Sequence, residues 1–210
     1  MQIREKLARR AAKVGLALPE SSISGLEAYF EVLRKWNRRI SLTALPVEQV
    51  GDEAVDRLLV EPALAAKYLP RGNMSVIDIG SGGGSPAIPM KLVAPGISLL
   101  MVESRTRKAA FLREAIRHLG LSSTDVESAR FEELLARPLL HASADVATLR
   151  AVKVEAKSLA AIQSFVKPLG LVFLFTTESN RVVRTAQLAP AGNHVLLNHL
   201  GTRLQILRKA

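Results

Sequence analysis

One segment of this 210-residue chain restricts the possible fold more than any other. Residues 76–85 read VIDIGSGGGS, so an apolar run is followed by four glycines within five positions. Glycine allows a tight backbone turn and leaves no side chain between the chain and a ligand. The residues after the turn predict a helix, whose free N–H groups attract an electronegative group. The segment therefore predicts a strand–turn–helix unit that holds a ligand on the backbone of Gly80, Gly82 and Gly84.

An acidic residue follows at the position that an adenosine ligand needs. Glu103 ends the next apolar run, 98–102, nineteen residues after Gly84. A carboxylate there can accept hydrogen bonds from both hydroxyls of an adenosine ribose. The alternative is a tight turn with an ordinary surface glutamate. The order strand, glycine turn, helix, strand and acid favours a cofactor that contains adenosine.

Two residues of the turn bear on which adenosine cofactor is bound. The dinucleotide motif G-x-G-x-x-G requires glycine at its sixth position, where this chain has Ser85. Asp78 would repel a pyrophosphate, whereas it can hold the ammonium of a methionine moiety directly or through water. Alternatively, Asp78 fixes the loop by an Asx-type hydrogen bond. The balance favours S-adenosylmethionine, and a nicotinamide-dependent oxidoreductase remains the competing interpretation.

The rest of the chain divides at the turn-forming residues 69–73. Residues 1–70 are predicted to form a helical subdomain. Ser21 or Ser22 is predicted to cap a helix whose apolar positions continue to Ile40. A second helical pattern covers 53–68 and is interrupted by Pro62. Residues 71–210 are predicted to form the cofactor-binding domain, because short apolar runs alternate with helical stretches, as in a parallel sheet. The predicted strands are 75–79, 98–102, 124–127, 146–149 and 171–175. The predicted helices between them are 87–93, 107–119, 131–136 and 154–166. An antiparallel hairpin of 194–198 and 203–207 is predicted to close the sheet.

The composition excludes several chemistries. The chain has no Cys, so disulfide scaffolds, thiolate zinc sites and cysteine nucleophiles are excluded. Its four His residues are not spaced as metal ligands, and we expect no metal site. No apolar stretch reaches the roughly 18 residues of a transmembrane helix, and the basic N-terminus lacks the apolar core of a signal peptide, so we expect a cytoplasmic protein without a membrane partner. The net charge of +10 predicts a polyanionic partner, RNA or DNA.

Five motifs together resemble the RsmG (GidB) family, which are bacterial small-subunit ribosomal RNA guanine-N7 methyltransferases. Residues 78–89, DIGSGGGSPAIP, are similar to the family's D-V-G-[ST]-G-x-G-x-P-G-I-P, and residues 103–112, ESRTRKAAFL, to its D-S-x-x-K-R-x-x-F-L. Residues 129–133 resemble [AS]-R-x-E-E, residues 145–151 resemble D-x-[IV]-x-[SV]-R-A, and residues 33–44 resemble L-x-K-W-N-x-x-x-N-L-T-A.

This resemblance implies the class I methyltransferase fold: an α/β, Rossmann-like, mostly parallel seven-stranded sheet with helices on both faces and a small N-terminal helical subdomain. It implies S-adenosyl-L-methionine as cofactor and small-subunit ribosomal RNA as partner, and we expect a monomer. Arg150 is either a cofactor contact or an ion-pair partner that fixes the sheet edge. With the turn glycines, the predicted cofactor-binding residues are Gly80, Gly82, Gly84, Ser85, Glu103, Phe131, Glu132 and Arg150.

The chain departs from the family pattern in three places. The family usually has R-H-x-x-D-S where residues 56–61 read DRLLVE, its N-L-T becomes SLT at 41–43, and its K-G after the fifth strand becomes TTE at 176–178. The cofactor motifs are thus retained and the substrate motifs have diverged. A non-catalytic relative that keeps cofactor or RNA binding is the alternative interpretation.

The expected chemistry needs no catalytic side chain, and we name none. Guanine N7 has a free lone pair and no proton to remove, and methyl transfer from a sulfonium requires mainly alignment and exclusion of water. The predicted RNA contacts are basic residues on one helix face, and the alternative is that this face is only solvated. Trp36 continues the apolar stripe of the same helix and is predicted to pack in the core. The basic patches are Arg34, Lys35, Arg38 and Arg39; Arg4, Lys6, Arg9, Arg10 and Lys13; and Arg105, Arg107 and Lys108.

Overall fold

A seven-stranded sheet forms the centre of the molecule. The computed structural model describes residues 2–150, 156–177 and 185–210. The strands are β1 (Met74–Ile79), β2 (Ile97–Val102), β3 (Thr124–Glu127), β4 (Ala144–Arg150), β5 (Val166–Thr176), β6 (Leu188–Leu197) and β7 (Thr202–Lys209). They lie in the order β3-β2-β1-β4-β5-β7-β6. Strand β7 is antiparallel to both of its neighbours, whereas the remaining pairs are parallel.

Helices cover both faces of this sheet. They are α1 (Ile3–Lys13), α2 (Glu20–Asn37), α3 (Asp52–Val55), α4 (Glu61–Ala65), α5 (Ala87–Val93), α6 (Thr106–Leu119), α7 (Phe131–Leu134) and α8 (Ala156–Ile162). Val76 of β1 belongs to the apolar cluster that includes α2, α5 and α6, whereas its neighbour Ile77 belongs to a second cluster with α7 and α8. Successive side chains of a strand point to opposite faces, so β1 is buried on both sides and reads as a continuous apolar run. The predicted fold class is confirmed.

The N-terminal helices pack on one face of the sheet. Leu7 of α1 and Phe30 of α2 belong to the same buried cluster as Val76 of β1 and Phe173 of β5. Residues 69–73, where the division was predicted, have no regular structure before Met74 begins β1. The assignment of 1–70 and 71–210 as separate units stays a prediction.

Several predicted element bounds are corrected. Helix α2 begins at Glu20 rather than after a serine cap, and the buried Ser22 donates instead to Leu92 O at 3.2 Å. Ile40 lies beyond the helix end. Strand β6 begins six residues before the predicted 194, because it pairs with β7 almost to the end of that strand. Helix α7 ends at Leu134, before the predicted 136.

Two further elements differ from the predicted pattern. Residues 154 and 155, the predicted start of the eighth helix, lie outside the described residues; α8 ends at Ile162 and one 3-10 turn leads into β5. Pro62 does not interrupt the second N-terminal helical pattern. The chain stays helical from Asp52 to Tyr68, with a π-helical turn (Asp56–Val60) before the proline. None of the described helices has the length and apolarity needed to cross a bilayer.

Candidate functional site

The glycine turn joins β1 to α5 at the carboxyl edge of the sheet. Gly84 has φ +84°, and a Cβ there would lie 2.6 Å from Ile88 Cδ1, so only glycine fits without a shift. The turn is tied to the neighbouring strand, since the N–H groups of Gly80 and Ser81 donate to Val102 O at 2.9 and 3.1 Å. The backbone of the turn is therefore held in one shape before any ligand binds.

Glu103 is connected directly to this turn. Its side chain is buried; Oε2 accepts from the Gly82 N–H and Oε1 from the Arg105 N–H, both at 2.8 Å. Glu103 is thus no ordinary surface glutamate. Each carboxylate oxygen has a second lone pair, so the group can still accept two hydroxyl hydrogens. The two backbone bonds orient it for that purpose.

A cleft opens beside Glu103, between the glycine turn and the segment after β3. Its volume is about 210 Å³. In open α/β sheets, ligands bind in crevices outside the carboxyl ends of the strands, where this cleft lies. Phe131 and Glu132 therefore lie beside Gly80, although they are about fifty residues away in sequence. The lining residues are Ile79, Gly80, Val102, Ser104, Ala129, Arg130, Phe131 and Glu132.

Asp78, the last polar residue of β1, is fully enclosed. Its Oδ1 accepts a hydrogen bond of 2.5 Å from Thr148 Oγ1 on β4, and Oδ2 has no partner in the described structure. Burial raises the pKa of Asp78 to about 6. Thr148 was not predicted from the sequence. It could have been found only from the β1–β4 register, which pairs Asp78 with Thr148.

Arg150, the last residue of β4, joins the glycine turn to the N-terminal helices. Its Nη1 donates to Ser85 Oγ at 2.9 Å and to Arg57 O at 2.6 Å, and its Nη2 lies 3.2 Å from Glu61 Oε1. Burial lowers the pKa of Arg150 and raises that of Glu61. Arg150 therefore has an ion-pair partner, as the alternative interpretation predicted, but on α4 rather than on the sheet edge.

Pro62 provides backbone acceptors for this cluster. Proline has no N–H, so it cannot donate to Leu58 O four residues earlier or, in a π-helical register, to Arg57 O five residues earlier. These two carbonyls instead accept from Ser85 Oγ, at 3.0 Å, and from Arg150 Nη1. Glu61 was missed in the sequence analysis. The available signal was a single carboxylate within the apolar run LLVEPALA.

Helix α2 supports the turn from its other side. The buried Tyr29 hydroxyl donates to Gly83 O at 2.6 Å, and burial raises the pKa of this phenol. A Cβ on Gly83 would lie 3.1 Å from Leu33 Cδ1. The close approach of α2 thus leaves little room for a side chain at 83. The polar role of Tyr29 was not predicted from the sequence.

The predicted RNA contacts fall into paired and unpaired groups. Arg34 pairs with Glu31 at 2.6 Å, and Arg38 contacts both oxygens of Glu48. Lys35 and Arg39 are exposed and form no ion pair within 4.0 Å in the described part of the chain. The pKa of the Glu114 carboxyl is lowered mainly by its hydrogen bond with Arg117 and further by the nearby Lys35. Within the N-terminal patch, the cations that form ion pairs join helices of this chain. Those pairs are Arg4 with Glu20 and Glu27, Lys6 and Arg9 with Asp52, and Arg10 with Asp52 and Asp56.

A groove of about 440 Å³ separates α2 from α6 on this basic side. Trp36, as predicted, packs on the core: its ring contacts Phe111 edge to face with centroids 5.9 Å apart. Arg105 and Arg107 are exposed at the beginning of α6, next to Glu103, and Lys108 is half-buried there. No acidic group among the described residues pairs with these three. The described residues also contain no cluster of acidic and His side chains placed to hold a metal.

The diverged motifs have structural roles where the structure describes them. Asp56 is buried and pairs with Arg10 of α1. It also pairs with His199, which lies in the turn between β6 and β7, at 2.6 Å. Asn37 Oδ1 accepts from the N–H groups of Leu42 and Thr43, which shapes the SLT loop beside the glycine turn. Residue 178 of the TTE segment lies outside the described residues.

Comparisons with known proteins agree with this arrangement. A family model described as rRNA small subunit methyltransferase G matches residues 22–189. The ribosomal RNA small subunit methyltransferase G of Neisseria meningitidis is 34% identical over 153 residues, which cover 72% of this chain and 69% of that protein. The protein of the same name from Cupriavidus pinatubonensis is 41% identical over 127 residues, covering 57% and 54%.

Solved structures with the same fold are more distant in sequence. A SAM-dependent methyltransferase from Aquifex aeolicus superposes with a TM-score of 0.57 at 13% identity, over 77% of this chain and 95% of that one. MtNAS, solved in complex with MTA and tNA, superposes with a TM-score of 0.60 at 17% identity, over 89% of this chain and 71% of that one. At such identities the likeness concerns the fold alone.

Proposed function

Because the chain belongs to the rRNA small subunit methyltransferase G family, we propose that it transfers a methyl group from S-adenosylmethionine to guanine N7 of small-subunit ribosomal RNA. The observation that carries the proposal is the buried Glu103, held by the glycine turn beside a cleft lined by Phe131 and Glu132. A nicotinamide-dependent oxidoreductase finds no support in this family.

The residues present fit the adenosine part of S-adenosylmethionine. In our proposal Glu103 accepts from the ribose hydroxyls, the cleft beside Phe131 and Glu132 holds the adenine, and the backbone of Gly80, Gly82 and Gly84 borders the ligand. Glu103 suits this role because each of its oxygens keeps a free lone pair. Ser85 and Arg150 lie further along the same edge, where the methionine part is placed. When bound, the cofactor supplies an electrophilic methyl group on sulfur.

The chain's part in the reaction is binding, orientation and exclusion of water. The bond from N7 to the methyl carbon forms as the sulfur–carbon bond breaks, so the guanine gains a positive charge and a neutral thioether leaves. No proton moves, and the site therefore needs no general base. Alignment of the two reactants supplies the main rate advantage in such a displacement. Carboxylates or RNA phosphates near the methylated base stabilise its new charge.

The proposed RNA surface is the basic side around α2 and the start of α6. Its unpaired cations are Lys35, Arg39, Arg105 and Arg107, which are free to approach phosphates. Arg105 and Arg107 lie next to Glu103, so RNA bound there is close to the proposed cofactor. We further propose that the protein acts as a monomer in the cytoplasm, where small subunits are assembled.

A methylation assay tests the proposed function. Small-subunit RNA, both free and in assembled subunits, is incubated with S-adenosylmethionine that carries a labelled methyl group, and the product is mapped by mass spectrometry. We expect one labelled guanine with a mass gain on the base, and loss of label with Glu103→Ala. Label on an exocyclic amine or a ribose would contradict N7 transfer. Tight binding of S-adenosylhomocysteine without any label would identify a non-catalytic relative.

A further inference from the structure

Three buried polar atoms have no hydrogen-bond partner in the described part of the chain. They are Glu61 Oε2, Asp78 Oδ2 and Arg150 Nη2, of which Arg150 Nη2 is still ion-paired with Glu61 Oε1. Glu61 is 2% exposed and Asp78 is 1% exposed, so solvent does not satisfy these carboxylates. Buried polar groups in folded proteins are nearly always paired, and a group without a partner requires an explanation.

The three atoms belong to one cluster behind the glycine turn. Arg150 Nη2 lies 3.2 Å from Glu61 Oε1, and Arg150 Nη1 donates to Ser85 Oγ at 2.9 Å. Asp78 is bonded to Thr148, which precedes Arg150 by two residues on β4 and so points to the same face of the sheet. The cluster therefore lies at the carboxyl ends of β1 and β4, next to the glycine turn.

The chemistry of these three groups is that of a zwitterion receptor. The cluster presents one cationic donor and two carboxylate acceptors, whereas the amino-acid end of S-adenosylmethionine presents one carboxylate and one ammonium with three donors. We propose that Glu61 is an additional cofactor-binding residue: its Oε2 accepts a hydrogen bond from the cofactor ammonium. Asp78 Oδ2 accepts a second one, and Arg150 Nη2 donates to the cofactor carboxylate. This assignment rests on S-adenosylmethionine as the cofactor.

The position of Glu61 favours the ammonium over a donor of the guanine base. Its Oε1 is already paired with Arg150, whose other nitrogen is bonded to Ser85 of the turn, so Glu61 is fixed relative to the cofactor side. The family motif has serine where this chain has Glu61 and an acid where it has Val60. The diverged segment 56–61 thus supplies a carboxylate from a new position, and its divergence does not imply loss of cofactor binding.

Calorimetry with three ligands separates this role from a structural one. The ligands are S-adenosylhomocysteine, its analogue without the amino group, and 5′-methylthioadenosine, which lacks the whole amino-acid part. Loss of one charge-assisted hydrogen bond corresponds to about tenfold in affinity. We expect Glu61→Gln to bind S-adenosylhomocysteine about tenfold more weakly and to bind the other two ligands as the wild type does. The matched control is Glu27→Gln. It alters a carboxylate on α2 that pairs with Arg4 of α1.

The possible results lead to distinct conclusions. An equal loss for all three ligands would assign Glu61 a purely structural role and overturn the proposal. Unchanged binding of S-adenosylhomocysteine by Glu61→Gln would overturn the proposal. In that case weaker RNA binding would indicate that Glu61 contacts the guanine base, and unchanged RNA binding would indicate a water. Should Glu61→Gln not fold, the same titrations on Asp78→Asn decide: with Glu61 on the ammonium, S-adenosylhomocysteine should still bind more tightly than the analogue without the amino group, and equal affinities would overturn the proposal. If the wild type bound none of the three ligands, the cofactor assignment itself would be wrong.

Discussion

At the scale of single residues, the candidate site contains two carboxylates in contrasting environments. Glu103 accepts two backbone N–H bonds, one on each oxygen, and keeps a lone pair on each for a ligand. Asp78 accepts from Thr148 on Oδ1, and its Oδ2 has no hydrogen-bond partner in the described structure. Burial raises the pKa of Asp78, because its charged form is not fully compensated by hydrogen bonds. We propose different tasks for the two carboxylates: Glu103 accepts from the ribose hydroxyls, and Asp78 accepts from the cofactor ammonium.

The ribose assignment predicts a defined loss in one variant. Glu103→Ala should weaken binding of S-adenosylhomocysteine by roughly 1–3 kcal/mol, because one or two hydrogen bonds to a charged acceptor are lost. Isothermal titration calorimetry measures this change, and Glu103→Gln, which keeps one acceptor oxygen, should lose less. Thermal melts without ligand control for loosening of the glycine turn. Equal affinities of wild type and Glu103→Ala would rule out the ribose contact.

The raised pKa of Asp78 predicts pH dependence of two quantities. Between the ordinary value of 3.8 and about 6, the folded state holds a proton that the unfolded chain has lost, so the free energy of unfolding without ligand should fall as pH rises through this window. An ammonium binds the ionised form, so affinity for S-adenosylhomocysteine should rise toward pH 6 and level off above it.

Calorimetry and chemical denaturation at several pH values measure both trends. Asp78→Asn should reduce the pH dependence of binding over this range, leaving the part due to Glu61, whose pKa burial also raises, and should reduce that of the unfolding free energy. Affinity that is flat from pH 5 to 7 in the wild type would mean that Asp78 does not hold the ammonium.

At the scale of elements, the helical run from Asp52 to Tyr68 organises the N-terminal side of the site. Its π-helical turn and Pro62 leave two carbonyls for Ser85 and Arg150, and π-helical turns of this kind occur frequently at functional sites. One turn earlier, Asp56 joins α1 and the β6–β7 turn through Arg10 and His199. The run therefore connects the first helix, the glycine turn and the last hairpin.

Removing Arg10 should destabilise this junction. Asp56 is buried and Arg10 is 11% exposed, so Arg10→Ala leaves a buried carboxylate with His199 as its remaining described partner. Loss of one member of a buried pair costs about 3–5 kcal/mol. Urea denaturation monitored by circular dichroism measures the change. Arg38→Ala, which breaks an exposed pair with Glu48, should leave the unfolding free energy unchanged, and equal effects of both variants would show that the junction adds no stability.

At the scale of the whole molecule, the excess positive charge is unevenly available. The net charge is +10, yet many cations on α1 and α2 are engaged with acids of the same chain. Among the cations without a described ion pair, Arg105 and Arg107 lie next to Glu103, and Lys35 and Arg39 lie at or just beyond the end of α2. Electrostatic attraction of a polyanion therefore directs it toward the proposed cofactor site.

This distribution predicts which variants change RNA binding. Each phosphate contact with single-stranded RNA contributes about 0.7 to the slope of log affinity against log salt. The double variant Lys35→Ala with Arg39→Ala should therefore lower that slope by about 1.4 and leave S-adenosylhomocysteine binding intact. Fluorescence anisotropy with a labelled small-subunit RNA fragment at increasing salt measures the slope. The double variant Arg34→Ala with Arg38→Ala removes the same charge from ion-paired positions and should lower the salt slope by less. A larger decrease in this variant than in Lys35→Ala with Arg39→Ala would contradict the proposed surface.

The sequence by itself determined the local units of this protein. The glycine turn, the alternation of strands and helices, and an acid at the end of β2 were predicted because each depends on the conformational preferences of neighbouring residues. The antiparallel hairpin at the end of the sheet was predicted for the same reason. Its true bounds differ, because the length of β6 is set by pairing with β7 rather than by its own pattern.

Only the tertiary structure decided which distant residues complete the site. Arg150 meets Ser85 and Glu61 because β4 lies next to β1 and α4 packs at their ends, and Tyr29 reaches Gly83 because α2 crosses the turn. Pairing also decided which basic residues are neutralised and which are free. These contacts join residues up to 93 positions apart, as between Arg150 and Arg57. No local preference encodes them, because they arise from strand order and from the burial that packing imposes.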